Sequence, residues 1–250
     1  MKKTILVLLL IVSQSFFGQE LKQEYQQKIA FFIDCVKNNK KSEIATMISY
    51  PFDREYPLPK IKSKKEFVDR YDEIFDATFK KLIVQSNPKT DWSEVGWRGI
   101  MLNRGDMWID TDGRIITINY QSKIEAEKIA DIIKLSKKEV HRSLSNFVKP
   151  ICIIETSRFR IRIDELDNYQ YRYSSWSINQ PMTATPDLVL NNGEFIREGT
   201  GGNHRYSFKR GNYIYDCYIS VLGTKNSAPA TLTVYKNEKE ILRQDAKLLN

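Results

Sequence analysis

Residues 151–176 read ICIIETSRFRIRIDELDNYQYRYSSW, and their alternation of apolar with polar side chains is typical of paired β-strands. The strand-like runs of this half of the chain are Ile151–Glu155, Arg158–Ile163, Tyr169–Trp176, Asp187–Leu190, His204–Lys209, Tyr213–Leu222 and Ala230–Lys236. Turns rich in glycine and asparagine, among them Asn191-Asn192-Gly193, separate these runs. Short strands at such spacing predict a β-sandwich or β-barrel domain over residues 150–250.

Two rows of side chains within this stretch are candidates for a binding surface, which we name the Arg/Tyr face. Period-two geometry puts the members of each row on one side of their strand. The first row is Arg158, Arg160 and Arg162, and the second is Tyr169, Tyr171 and Tyr173, with Trp176 just beyond. If the two strands pair, the rows can stack into a surface for a sugar, an acidic group or a protein. The structural alternative is that the arginine stems cover the sheet and the tyrosines form an ordinary cross-strand ladder.

A connector helix is predicted over residues 122–149. Ser122 and Glu125 have the spacing of a capping box, which marks the start of a helix. The apolar residues that follow lie on one stripe and are Ile129, Ile133, Val140, Leu144 and Phe147. Pro150 ends the pattern, because proline cannot continue a helix.

Residues 19–121 predict an α+β domain, with helices packed on a curved antiparallel sheet. One helix carries an apolar stripe from Leu21 to Val36, and a short one follows at Ser42–Ile48. A third begins at the capping box of Ser63 and Glu66 and continues to Asn87. Alternating runs from Val95 to Tyr120 then predict strands, with a hairpin at Asp112-Gly113.

The layout of this domain resembles the nuclear-transport-factor-2-like family, whose fold is a cystatin-like cone. The segments that carry the resemblance are Ile48–Phe52, Lys64–Phe79 and Gly99–Ile118. The resemblance implies a concave pocket and carries over no catalytic residue. Candidate side chains for lining such a pocket are Tyr50, Tyr71, Trp97 and Trp108.

Residues 1–18 have the layout of a secretory signal peptide. Two lysines follow Met1, an apolar run extends from Thr4 to Val12, and Gly18 precedes the expected mature start at Gln19. The apolar run is too short to span a membrane, and the first cysteine, Cys35, lies too far on for a lipid anchor. The sequence therefore predicts export to the periplasm or the extracellular space, with no transmembrane segment after removal of the signal.

Export to an oxidising compartment makes one disulfide possible. Cys152 and Cys217 are the predicted pair because both fall on strand-like runs, which leaves Cys35 as a free thiol buried on a helix. The alternative is that all three cysteines remain unpaired.

Composition and motifs argue against several classes of function. The 39 basic and 31 acidic side chains give a formal net charge of +8, but they are interspersed rather than concentrated in a groove for nucleic acid. Turn formation explains Asp106, Asp110 and Asp112 without a calcium ion. With His141 and His204 as the chain's histidines, and no nucleophile motif, we predict no catalytic residue, metal or cofactor.

The sequence thus predicts an exported, non-enzymatic binding protein that recognises a protein or an anionic glycan or lipid of the cell envelope through the Arg/Tyr face. One rival is an enzyme or small-molecule carrier that uses the pocket of the N-terminal domain. Another is an inhibitor or immunity protein that acts against an envelope-targeting enzyme. The oligomeric state is not predicted.

Overall fold

A computed structural model describes residues 21–167, 169–224 and 226–249. The predicted signal peptide lies outside the described residues. The α-helices are α1 (Gln23–Lys37), α2 (Lys41–Met47), α3 (Lys64–Ile74), α4 (Ala77–Gln85) and α5 (Lys123–Ser136). The short strands are β1 (Trp92–Glu94), β2 (Ile100–Leu102), β3 (Met107–Ile109) and β4 (Ile115–Ile118). The longer strands are β5 (Lys149–Glu155), β6 (Phe159–Glu165), β7 (Tyr171–Ser177), β8 (Leu188–Arg197), β9 (His204–Arg210), β10 (Tyr213–Ile219), β11 (Ala230–Lys236) and β12 (Lys239–Leu248).

The chain forms two compact units. The first contains the described residues up to Ser49 together with Ala77–Ile118, and the second contains Tyr50–Asp76 and the described residues from Asn119 onward. This division differs from the predicted boundaries at 121/122 and 149/150, because Tyr50–Asp76 groups with the C-terminal part of the chain. The α+β class is confirmed, and the C-terminal β-domain is a barrel. No helix within the described residues has the length and apolarity to cross a bilayer.

The first unit combines α1, α2 and α4 with an antiparallel sheet in the order β1-β2-β3-β4. Phe32 of α1 meets Trp92 of β1 edge to face, with 6.4 Å between the ring centroids. Cys35 is a free, buried thiol on α1, as predicted. The predicted hairpin is also present, since the Asp110 carboxylate accepts the N–H groups of Asp112 (3.0 Å) and Arg114 (2.8 Å).

The run predicted as one strand over Val95–Leu102 is interrupted. A 3-10 turn occupies Gly96–Arg98, and β2 begins only after Gly99. Gly99 has a φ of +95°, and a Cβ atom there would lie 2.3 Å from the carbonyl oxygen of Ile109. The backbone approach between β2 and β3 therefore requires glycine.

The predicted third helix is two helices, α3 and α4. The Ser122 hydroxyl donates to the carbonyl of Glu73 in the last turn of α3, and the Tyr120 hydroxyl lies 3.0 Å from both carboxylate oxygens of Asp76. Asp76 immediately precedes α4, where aspartate favours the start of a helix. Ser122 and Tyr120, which are distant in sequence, thus form hydrogen bonds with residues on either side of the break between α3 and α4.

The capping residue predicted for α5 is confirmed, but its glutamate has another role. The Ser122 hydroxyl accepts from the backbone N–H of Glu125 at 3.1 Å. The carboxylate of Glu125 is buried and forms a two-bond ion pair with Arg54, at 2.7 and 2.5 Å. The helix ends at Ser136 rather than 149, and a 3-10 turn at Arg142–Leu144 follows before β5.

Strands β5 to β12 form a closed antiparallel barrel in which each strand pairs with its neighbours in sequence. Strand β8 continues through Asn191–Gly193, which the sequence predicts as a turn, with Asn192 at a φ of +60°. Strand β12 was not predicted, because its charged residues and a bulge opposite Val234/Tyr235 obscure its alternation. Two residue pairs, Lys247 with Glu155 and Leu248 with Ile154, close the barrel between β12 and β5.

The outer surface of β6 and β7 is covered by the segment between α5 and β5. Val140, Leu144 and Phe147 pack there against Trp176. Beside them the fully buried carboxylate of Asp164 accepts hydrogen bonds from Arg162 (2.7 Å) and Arg172 (2.9 Å).

Asp164, Arg162 and Arg172 form a buried charge cluster. Its two guanidinium groups also bind the segment between the end of α5 and β5, which we call the covering segment. Arg172 also donates to the carbonyls of Leu144 (2.6 Å) and Asn146 (3.2 Å). Arg162 donates to the Ser136 hydroxyl at 3.1 Å, and its guanidinium carbon lies 4.7 Å from the ring centre of Phe147. The cluster therefore fixes the covering segment to the barrel.

We expect Asp164→Asn to lower the free energy of unfolding by about 3–5 kcal/mol, because it leaves two buried guanidinium groups without a counter-charge. Urea unfolding followed by circular dichroism measures this loss. Asp69→Asn is the matched control, since it breaks an exposed ion pair with Lys65 and should cost less than about 1 kcal/mol. Equal effects of the two substitutions would contradict the structural role of Asp164.

Candidate functional site

The arginine row and the tyrosine row of the Arg/Tyr face do not stack on each other in this structure. Strands β6 and β7 do pair, but Tyr173 lies opposite Ile163 and Arg162 lies opposite Ser174. Because side chains alternate between the faces of a sheet, the arginines point outward from the barrel while Tyr173 points into it. The two rows therefore occupy opposite faces.

The arginine row is largely occupied by contacts within the chain. Arg158 precedes β6 and is exposed, whereas Arg162 is 2 % exposed. Arg160 is partly buried and donates to the Glu155 carboxylate (2.6 Å) and to the carbonyl of Gln180 (2.8 Å). The structural alternative is the better description of Arg160 and Arg162.

The aromatic row is also divided. Tyr169 precedes β7 and is 85 % exposed, whereas Tyr171 and Tyr173 pack with the barrel core. Trp176 points outward but is fully buried, and its indole N–H donates to the carbonyl of Ala184 at 2.9 Å. These side chains do not form one accessible surface.

The pocket candidates of the N-terminal half are divided between the units. Tyr50 and Tyr71 belong to the second unit, where Tyr71 is buried and stacks on Phe75 at 4.7 Å between centroids. Trp97 and Trp108 belong to the first, where Trp97 is 77 % exposed. Neither unit contains the whole predicted set.

Cys152 and Cys217 are free thiols buried in the barrel core, so the predicted bridge is not present in this structure. Burial raises the pKa of the Cys152 thiol to about 12, and it raises the pKa of Cys217 well above its ordinary value of 9.0. Both groups are therefore neutral, poorly nucleophilic side chains that fill space.

The barrel interior contains a cavity of about 310 Å³ at one end. Most of its walls are aliphatic or aromatic. The lining residues are Phe159, Tyr173, Ser175, Asp187, Leu188, Tyr213, Tyr215, Leu232, Val234, Ile241 and Leu242. Several stand at strand ends beside the connecting loops, so the cavity is the mouth of the barrel, a usual place for a small-ligand site.

One wall of the cavity is a row of aromatic side chains that the sequence did not predict to lie together. The ring of Tyr215 lies 5.9 Å from that of Tyr173 and 6.4 Å from that of Tyr213, centroid to centroid. Phe208 supports Tyr173 from 5.6 Å. A Cβ atom on Gly193 would lie 2.1 Å from the Phe208 ring, so glycine makes room for this ring.

The polar groups at the cavity are few and mostly engaged. The Asp187 carboxylate accepts from the backbone N–H of Ser177 (2.8 Å) and from its hydroxyl (3.1 Å). Burial raises the pKa of Tyr173, which keeps its phenol neutral. The Lys236 ammonium lies 5.2 Å from the ring centre of Tyr213. Such a site can hold an apolar or planar group by burial and stacking.

The signal for this cavity was present in the sequence. Tyr213 and Tyr215 alternate on one predicted strand, as Tyr171 and Tyr173 do on another. Strand alternation places each pair of tyrosines on one face of its strand, but barrel closure is needed to bring the two pairs together.

Comparisons with protein-family models, with curated proteins and with solved structures find no match to this chain.

We expect the free energy of unfolding to fall as the pH rises above 9. Each core thiol has a higher pKa in the folded chain than in the unfolded one, so the unfolded state loses its protons first. Stability is complete below the unfolded pKa of 9.0 and declines above it. The loss is roughly 1 kcal/mol for each thiol between pH 9 and pH 10.

Urea titrations at pH 8, 9 and 10 test this expectation. The double variant C152A/C217A should show a shallower decline than the parent chain, while tyrosine ionisation affects both equally. The same decline in the two proteins would exclude the thiols as its cause.

Proposed function

We propose that this chain is an exported binding protein without enzymatic activity, and that its binding site is the cavity at the mouth of the barrel. The ligand presents an apolar, preferably planar group. The observation that supports this best is the space of about 310 Å³ with a wall of tyrosine rings at one end of a barrel that has a buried hydrophobic core. A volume near 300 Å³ is at the lower end of the range for small-ligand sites.

The cavity is a better candidate than the Arg/Tyr face. An open space lined by rings can accept a ligand without rearrangement, whereas Arg162 would first have to leave Asp164. Releasing such a buried pair costs several kcal/mol. The ligand is therefore selected by apolar contact rather than by a row of positive charges.

Two further elements of the proposal come from the sequence. Export is supported by the basic start and apolar run before Gln19. The resemblance of residues 19–121 to the nuclear-transport-factor-2-like family is supported by the four-stranded antiparallel meander of β1 to β4, while α3, which also carries the resemblance, groups with the second unit.

We expect the neutral fluorophore N-phenyl-1-naphthylamine to bind the chain with an increase in its fluorescence. Leu188→Trp should weaken this binding at least tenfold, because the indole fills space inside the barrel mouth. The matched control is Val189→Trp, one residue along the same strand and on its outer face, which should leave the affinity unchanged.

Melting curves of both variants establish that each is folded. A second variant, Tyr213→Ala, removes a half-buried ring from the cavity wall and should also weaken binding. Equal affinities in the parent chain, Leu188→Trp and Tyr213→Ala would place the fluorophore elsewhere and overturn the proposal.

A further inference from the structure

The last strand of the barrel has a free edge beside the cavity. On one side, β12 pairs with β11 along its length, whereas on the other only Lys247 and Leu248 pair with β5. Among the described residues, no strand pairs with this second side of β12 between Lys239 and Ala246.

The backbone groups of Arg243 and Asp245 point toward this free side. Leu249 donates its N–H to the carbonyl of Ile153 at 2.9 Å, across the seam with β5. Backbone groups in an antiparallel strand alternate in direction with a period of two residues. Arg243 and Asp245, which lie in the regular part of β12, therefore present their N–H and C=O groups on the same side as Leu249, where they can accept another strand.

The inner face of the same edge offers two distinct positions. Leu242 lines the cavity, together with the neighbouring Ile241, which is 53 % exposed. Two residues along, the side-chain oxygen of Gln244 is buried and has no hydrogen-bond partner among the residues that the structure describes. A strand added beside β12 would thus lie next to the apolar cavity at Leu242 and next to the side-chain oxygen of Gln244, which lacks a hydrogen-bond donor.

A second copy of this chain fits the edge poorly. Two antiparallel β12 strands must align residues whose backbone groups face each other. Centring the pair on Gln244 sets Arg243 opposite Asp245, which is favourable, but it sets Ala246 opposite Leu242, and a methyl group leaves the cavity opening unfilled. Centring it on Arg243 places two like charges directly opposite, which is unfavourable.

We propose that the free edge of β12 binds an extended peptide segment of another protein, which adds to the barrel as an antiparallel strand. The segment carries a hydrogen-bond donor opposite Gln244 and, two residues later, an apolar side chain that enters the cavity. Main-chain hydrogen bonds supply affinity and the alternate side chains supply specificity. The inference rests on the proposed function, because it assigns the apolar group in the cavity to a peptide side chain.

The test uses the full chain and the capped peptide Lys-Ser-Thr-Ser-Phe-Ser-Lys, measured by displacement of N-phenyl-1-naphthylamine. Threonine is designed to face Gln244 and phenylalanine to face Leu242. N-methylation of the three serines blocks the N–H groups that face β12, whereas N-methylation of the threonine and the phenylalanine does not. We expect the first modification to weaken binding at least tenfold and the second to change it less than threefold.

A protein variant provides an independent measurement. Asp245→Pro removes an N–H on the free edge without removing a hydrogen bond to β11, so the chain should melt at an unchanged temperature and lose peptide affinity at least tenfold. It should still bind the fluorophore.

Three results would overturn the inference. Binding of the fluorophore without displacement by the peptide would exclude the peptide and leave the proposed function standing. Equal affinities of the two N-methylated peptides would show side-chain capture without strand addition. A dimer in sedimentation that Asp245→Pro abolishes would identify a second copy as the occupant. Failure of the fluorophore itself to bind would instead overturn the proposed function.

Discussion

The second unit depends on one buried interaction, in which the carboxylate of Asp164 accepts hydrogen bonds from Arg162 and Arg172. The carboxylate neutralises one of two guanidinium groups on the outer surface of the barrel, and both groups also donate to the segment that covers them. Burying these charges is costly unless they are paired and hydrogen-bonded, so release of the covering segment would remove acceptors from both guanidinium groups. The cluster therefore gives the covering segment one position, and it leaves β6 and β7 buried on both faces.

Burial on both faces explains why the sequence predicted the strands but not their environment. The alternation of Phe159–Ile163 predicts a strand whichever face is covered, so the β-rich domain could be recognised from pattern alone. Whether Arg162 points to solvent depends on residues 136–147, which are distant in sequence and were predicted to continue a helix. Contacts with these distant residues determine the burial of Arg162, and the period-two alternation of a strand carries no information about such contacts.

Local signals were reliable where the partner was also local. Ser63, Ser122 and the Asp112-Gly113 turn behave as predicted because their hydrogen bonds lie within a few residues. The break between α3 and α4, the ion pair of Glu125 and the tyrosine wall depend on contacts across more than forty positions. β12 was missed because charged residues and a bulge obscure its alternation, and because the tight turn before it, Asn237-Glu238 at positive φ, contains no glycine.

The two-pair seam between β12 and β5 has a consequence for how the barrel folds. Every other strand pair joins neighbours along the chain, so its loop is short, whereas the seam joins the first and last strands of the barrel. Loop-closure entropy makes such a contact the last to form. We expect the seam also to be the first to open in native-state fluctuations, with the amide of Leu249 exchanging with solvent before those of β6 and β7.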